Sequence, residues 1–244
     1  MPTYLSPLLL MGLAVFAGAV VSGFTGFAFS AVAGAILLHV LPPAEAVPLM
    51  MVCSVLVQGA SLVSLRRSVD WRGTLNFVAG GLVGLPPALY LLEHADPSWV
   101  RVGFGVFLAA YSIYMLARPR IRYFEHVRAG GYDVAAGFLG GLLGGLTAMP
   151  GAMPTIWCDL RGIAKDRQRG LVQPYIAAMQ VAALTMLATQ RGLPAELAGN
   201  LLLCVAPLGA GALLGLALFG RVSDGVFRRA VLCVLLASGL GYVV

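Results

Sequence analysis

Two pairs of residues in this 244-residue chain have types and positions suited to chemistry. Thr25 and Thr147 each stand in a stretch rich in helix breakers within an apolar run: Ser22-Gly23-Phe24-Thr25-Gly26-Phe27 and Gly144-Gly145-Leu146-Thr147-Ala148-Met149-Pro150-Gly151. A helix that restarts inside a hydrocarbon layer presents free backbone N–H groups and the positive end of its dipole, which attract an anion. Hydroxyls of Ser22, Thr25, Ser30, Thr147 and Thr155 would add donors. Gln58 and Gln180 form the second pair, each an amide deep in an apolar run and in need of a partner. Ser54, Gln58 and Ser61 share one helix face, and Gln173 precedes Gln180 by two turns. The plainer readings are close helix packing at the small residues and interhelical hydrogen bonding at the amides. An anion site at the two breaks, edged by Gln58 and Gln180, is the functional reading. Phe27, Met149 and Trp157 are placed to receive an organic tail, with lipid or core packing as the alternative.

Other chemistry has little foothold. There is no Ser/His/Asp arrangement, phosphate-binding loop or acidic run for a metal, and Cys53, Cys158, Cys204 and Cys233 lie in or at the ends of apolar runs without ligand spacing. They read as small core residues. The chain is therefore not read as an enzyme, and no cofactor is implied. Ionisable candidates for proton coupling are Asp133, Asp159, His39 and Arg169, each also explained by an interfacial position.

The elements that must position these residues follow from composition. Hydrophobic residues make up 59% of the chain and charged residues 11%, against roughly 25% charged in ordinary globular proteins. Charge-free runs over 1–44, 46–65, 73–92, 134–158, 170–190 and 197–220 approach or exceed the ~20 residues with which a helix crosses a bilayer. The chain reads as an all-α polytopic membrane protein. A β-barrel is excluded, because these runs are apolar on every side. The net charge of +6 does not imply nucleic acid. All but Arg101 and Arg191 of the sixteen Lys and Arg residues fall in 66–72, 118–128, 161–169 and 221–229, short connections that read as cytoplasmic. The N-terminus has no positive region ahead of its apolar run, so a cleaved signal peptide is not expected.

With those connections inside, 130–160 begins and ends on the same side, yet holds too few residues to cross twice. It reads as a re-entrant hairpin. A register of 122 residues pairs Phe16 with Phe138, Gly18 with Gly140, Gly23 with Gly145, Thr25 with Thr147 and Gln58 with Gln180. The expected organisation is an N-terminal repeat over 1–118 (hairpin 5–41, spans 44–66, 73–93 and 98–117), a cytoplasmic linker over 119–129, and a C-terminal repeat over 130–244 (hairpin 130–160, spans 170–190, 196–219 and 226–243). Three spans per half would insert the halves upside down to one another, as in many secondary transporters.

The stretch Gly18 to Ser30 (GAVVSGFTGFAFS), the element Val69-Asp70-Trp71-Arg72, and the run Gly151-Ala152-Met153-Pro154-Thr155-Ile156-Trp157 leading to Leu160-Arg161-Gly162-Ile163-Ala164-Lys165 and Arg169 resemble the sulfite exporter TauE/SafE family of membrane permeases. The similarity covers both halves. The chain departs from the commoner pattern at Phe27 and Phe29, where glycines are frequent, and at Ala152-Met153, where a Gly-Pro pair is usual before this point. The resemblance implies movement of sulfite, sulfoacetate or related sulfonates, export in particular, across the bacterial inner membrane. The partners implied are a small anionic substrate, with protons as the candidate coupling ion, and the lipid bilayer; an oligomer is compatible with the sequence. Alternatives are transport of another small organic anion in either direction, or a non-transporting membrane assembly subunit.

The cation asymmetry places both termini outside. Single cysteines in a cysteine-free background are expected to react with an impermeant maleimide from outside at position 93 and not at position 165; the reverse pattern would overturn the orientation.

Overall fold

The structure, a computed structural model, describes residues 5–65, 69–94, 97–117 and 130–243. Ten helices make up the described residues: α1 (Leu5–Thr25), α2 (Phe29–Val40), α3 (Pro43–Leu65), α4 (Trp71–His94), α5 (Pro97–Ala117), α6 (Gly131–Thr147), α7 (Ala152–Leu160), α8 (Lys165–Arg191), α9 (Leu197–Phe219) and α10 (Asp224–Val243). Five of them, α1, α3, α4, α8 and α9, are long and apolar enough to cross a bilayer. Leu9, Leu13, Val63, Val83, Leu202 and Leu213 are all exposed, an apolar exterior suited to lipid. Pro43 and Pro97 open α3 and α5 at a position where a missing N–H costs nothing. Cys53, Cys158 and Cys204 are buried as small core residues, whereas Cys233 is exposed on α10.

Glycines set the tightest packing. Gly80 and Gly84 of α4 lie against the backbone of Val134 and Phe138 of α6, and Gly137, Gly141 and Gly145 of α6 lie against Phe77, Gly81 and Leu85. The contacts advance together along both helices, so α4 and α6 are parallel. α1 and α9 are parallel by the same criterion: Gly211 meets Phe16 and Ala19, and Gly215 meets Val20 and Gly23. The Thr74 hydroxyl donates to the Leu171 carbonyl at 3.0 Å, Phe77 meets the Tyr175 ring at 6.0 Å, and Gly81 meets Met179, so α8 is parallel to α4. Arg169 at the start of α8 lies 4.0 Å from the ring of Phe219 at the end of α9, so α9 runs antiparallel to α8. Hence α1 and α9 run opposite to α4, α6 and α8.

In the 122-residue register α6 is the counterpart of α1, and α9 that of α4; each pair of counterparts runs in opposite directions. Several packing pairs are kept when the halves are exchanged, although α2 packs on α10 with no comparable packing of α7 on α5. α1 packs on α9 as α6 packs on α4, α3 on α9 as α8 on α4, α1 on α2 as α6 on α7, and α3 meets α8 while α5 meets α10.

Three details differ from the expectations. α1 stays helical through Ser22, Gly23 and Thr25, and the chain breaks at 26–28, because Gly23 serves as a contact glycine against α9 and only Gly26 takes a left-handed φ of 89°. α6 likewise continues through Gly144 and Gly145, and the reversal begins at Ala148, whose φ is 56°. α8 starts at Lys165 and not near 170, so Arg169 belongs to a helix and is only 3% exposed.

A methyl group at Gly80 or Gly84 would collide with the α6 backbone, which cannot yield as a flexible side chain can. Gly80→Ala and Gly84→Ala are expected to cost about 1–3 kcal/mol by overpacking, read as a lowered Tm in detergent. Gly59→Ala, where nothing lies within 4 Å, should leave the Tm unchanged or slightly raised.

Candidate functional site

The hairpin of α6 and α7 returns on itself: Pro150 packs against Gly144, and Pro154 against Gly140. At its open end Asp133, 2% exposed, accepts from Trp157 Nε1 at 2.6 Å and from Arg161 Nη1 at 3.2 Å, while Tyr132 stacks on Trp157 at 5.6 Å. This cluster clasps the first turn of α6 to the last turns of α7. Trp157 therefore serves the mouth of the hairpin, away from the reversal at 148–151. His39 lies exposed at the end of α2, with Nδ1 2.9 Å from the Ala35 carbonyl.

The two breaks meet. The Ser30 hydroxyl donates to the Ala148 carbonyl at 2.7 Å, and a Cβ added at Gly151 would stand 3.1 Å from Phe27 Cβ. A helix end leaves backbone groups unpaired, and in hydrocarbon each must find a partner within the protein. At the first break the Gln58 amide nitrogen donates to the Gly26 carbonyl at 3.1 Å; at the second the Gln180 nitrogen donates to the Ala148 carbonyl at 2.9 Å. Gly26 and Ala148 are themselves 122 residues apart, so the same bond is made twice at related positions. Thr25 Oγ1 accepts from the N–H groups of Phe27 and Ala28, both at 3.3 Å, which leaves the Thr25 hydroxyl hydrogen free to donate. The first N–H groups of α2 and α7 have no intrahelical acceptor. They supply the positive dipole ends of the region.

A cation stands beside the first break. Arg169 donates from Nη2 to the Gly23 carbonyl at 3.1 Å, and the Gln173 amide oxygen, in the orientation that satisfies both groups, accepts from its Nε at 3.1 Å and Nη2 at 2.9 Å. A Cβ on Gly26 would lie 3.2 Å from Arg169 Nε. Nη1 has no partner, and among the described residues no carboxylate forms an ion pair with this guanidinium. Arg169 thus caps the negative end of α1 while keeping a free donor and a net charge. Its counterpart in the other half is Val47 and that of Gln173 is Met51, both buried and apolar.

Among the residues singled out from sequence, the structure brings Gly26, Phe27, Gln58, Gly151 and Gln180 together around the breaks. Met149 and Pro150 are buried in the reversal itself. Ser22 is buried with an unpartnered hydroxyl, as is Thr155, and Gly23 supplies the carbonyl held by Arg169. Thr147 closes α6, and its side chain lies outside the described residues. Arg169, Gln173 and Ala148 were absent from the candidates for the anion site. Their signal was the α8 stripe: extending the Gln180–Gln173 face one turn back reaches Arg169.

Gly26→Ala combines an unfavourable φ with a Cβ pressed on the Gln173 amide at 2.9 Å, whereas Ala148→Gly relieves a left-handed alanine. The first is expected to cost about 1–3 kcal/mol. The second should stay within about 1 kcal/mol of the parent. Thermal unfolding of the two variants side by side checks both.

Comparison with known proteins adds one finding. The family model described as sulfite exporter TauE/SafE matches residues 10–242, nearly the whole length and both breaks. No curated protein and no solved structure matches the chain. On the family match, the chain belongs to the sulfite exporter TauE/SafE family, whose members are membrane transporters of sulfur-containing anions.

Proposed function

We propose that this chain is a secondary transporter of small organosulfur anions, sulfite or a short sulfonate, working in export across a bacterial inner membrane with both termini periplasmic. In this reading the two halves are inverted repeats, residues 1–118 and 130–244. The opposed directions of α1 and α6, and of α4 and α9, support it, as do the packing pairs that the two halves share. The anion binds where the breaks meet, between the starts of α2 and α7 near mid-membrane. Ser22, Gly23, Thr25, Gly26, Phe27 and Gln58 form one side, and Thr147, Met149, Pro150, Gly151 and Gln180 the other. Trp157 remains a residue of the pathway into the hairpin.

The observation that carries this reading is Arg169, a buried guanidinium against the first break with one donor face unused and no ion-paired carboxylate among the described residues. Asp166, one turn earlier on α8, acts on this charge only at a distance; a buried charge without a directly paired carboxylate is costly, and a bound anion offsets that cost. A single guanidinium with neutral donors around it matches a singly charged sulfonate head better than a dianion. Proton coupling is part of the proposal; Asp133, tied to Arg161 and Trp157, is held in place as a structural clasp and is the less suited to it.

Uptake of radiolabelled sulfite and of a C2 sulfonate into proteoliposomes, with and without a pH gradient, tests the activity. Arg169→Gln removes the charge and is expected to weaken anion binding about 10- to 150-fold, the equivalent of 1.5–3 kcal/mol for a charged hydrogen bond. Arg169→Lys keeps the charge without the planar fork and should fall between. Parent-like affinity and flux in folded Arg169→Gln would remove Arg169 from the site.

A further inference from the structure

Gln58 and Gln180 each leave one atom unexplained. The amide nitrogens are committed to the carbonyls of Gly26 and Ala148. Because a carbonyl can only accept, the amide end that faces it must be the nitrogen, so these bonds also fix which amide atom is oxygen. Both oxygens are buried, in side chains 0% and 2% exposed, and neither has a hydrogen-bond partner. A desolvated acceptor without a donor is unfavourable and rare in native proteins. Here it occurs twice, at positions 122 residues apart, in the same local bonding pattern and on both flanks of the meeting breaks. One orphan could be an accident of packing; a related pair at the centre of the molecule is a feature of a site.

Resting on the anion site proposed above, we infer that Gln58 Oε1 and Gln180 Oε1 make it selective for anions that carry their own hydrogen-bond donor. The oxygens of a sulfonate or sulfite head are acceptors, suited to Arg169 Nη1 and the helix starts, and they can do nothing for two glutamine oxygens. An O–H or N–H on the same small molecule does. The favoured class is therefore hydrogen sulfite and hydroxy- or ammonio-alkanesulfonates. Fully deprotonated sulfite, plain alkanesulfonates and dianionic sulfoacetate present no donor and would bury the pair unsatisfied. The discrimination acts by leaving a buried polar group unpaired when the wrong ligand enters, which separates ligands more sharply than a missing methylene does.

Binding of 2-hydroxyethanesulfonate and propane-1-sulfonate to the purified full-length protein, measured by calorimetry, tests this with nearly isosteric probes that differ in one hydroxyl. The parent is expected to bind the hydroxy compound at least about ten-fold tighter. In Gln58→Met and Gln180→Met, which keep side-chain length, the preference should shrink to within about three-fold, in line with loss of one hydrogen bond. Equal affinity of the parent for the two probes overturns the inference and leaves the anion site standing, as does a preference that survives in both folded variants. Failure of the parent to bind either probe, or sulfite at any pH, removes the anion site and this inference together. The comparison on the parent alone decides the matter if the variants do not fold.

Discussion

Breaking a helix in a buried apolar interior strands backbone carbonyls and N–H groups where water cannot reach them, and the arrangement of this protein around its buried residues Phe27, Ala28 and Ala148 follows from how those groups are satisfied. At each break one glutamine from the neighbouring long helix bonds the carbonyl of the reversing residue, Gln58 on Gly26 and Gln180 on Ala148. Those bonds require α3 and α8 to lie beside the breaks, and α3 and α8 do pack on one another at the centre. Ser30 then joins the two breaks through the Ala148 carbonyl, which so accepts from two donors. The polar interior exists because the backbone demands it; what the bonds at the breaks leave without a partner are Arg169 Nη1 and the two glutamine oxygens.

The related halves are not equivalent in charge. Position 169 is arginine and its counterpart is Val47; position 173 is glutamine and its counterpart is Met51. The first break has glycine at its left-handed residue, which leaves room for Arg169 and Gln173 against it. The second has Ala148, strained at φ 56° and anchored by two hydrogen bonds that offset the strain. An anion between the breaks would meet a cation on one side and neutral donors on the other. Such a site has a single charge and a defined polarity, unlike one built from two identical halves.

Charge placement and length made the helices legible. The expected spans 44–66, 73–93 and 196–219 lie within two residues of α3, α4 and α9 at each end, because a charged residue cannot be buried in lipid without showing in the sequence. The hairpin 130–160 could be read for the same reason: too few residues separate two connections of like charge. Exact break points were less legible, since glycine both breaks helices and lets them pack, and only the neighbour decides which. Gly23 and Gly145 meet other helices; Gly26 reverses the chain. Arg169 was misplaced for a related reason. A cation at the end of an apolar run looks like a loop residue; Gln173 stands one turn along the same run, but nothing there shows that the Gly23 carbonyl is waiting one helix away. Trp157 is near a break in sequence, but its indole N–H is bound at the far end of the hairpin.

The closest backbone contacts run between the halves and not within them. α1 is locked to α9 through Gly23, Gly211 and Gly215, and α6 to α4 through Gly80, Gly84 and Gly137. Small-residue contacts of this kind hold helices by van der Waals packing and leave no layer of long side chains to slide over. Rocking one sequence half against the other would have to part both seams at once. The long helix of each hairpin is thus packed on a helix of the other half, α1 on α9 and α6 on α4. Near the breaks the two sides are joined by polar and apolar contacts alike: Ser30 to Ala148, the end of α1 to Arg169 of α8, and Phe27, Ala28 and Ala31 packed with Met149, Ala152 and Ile176.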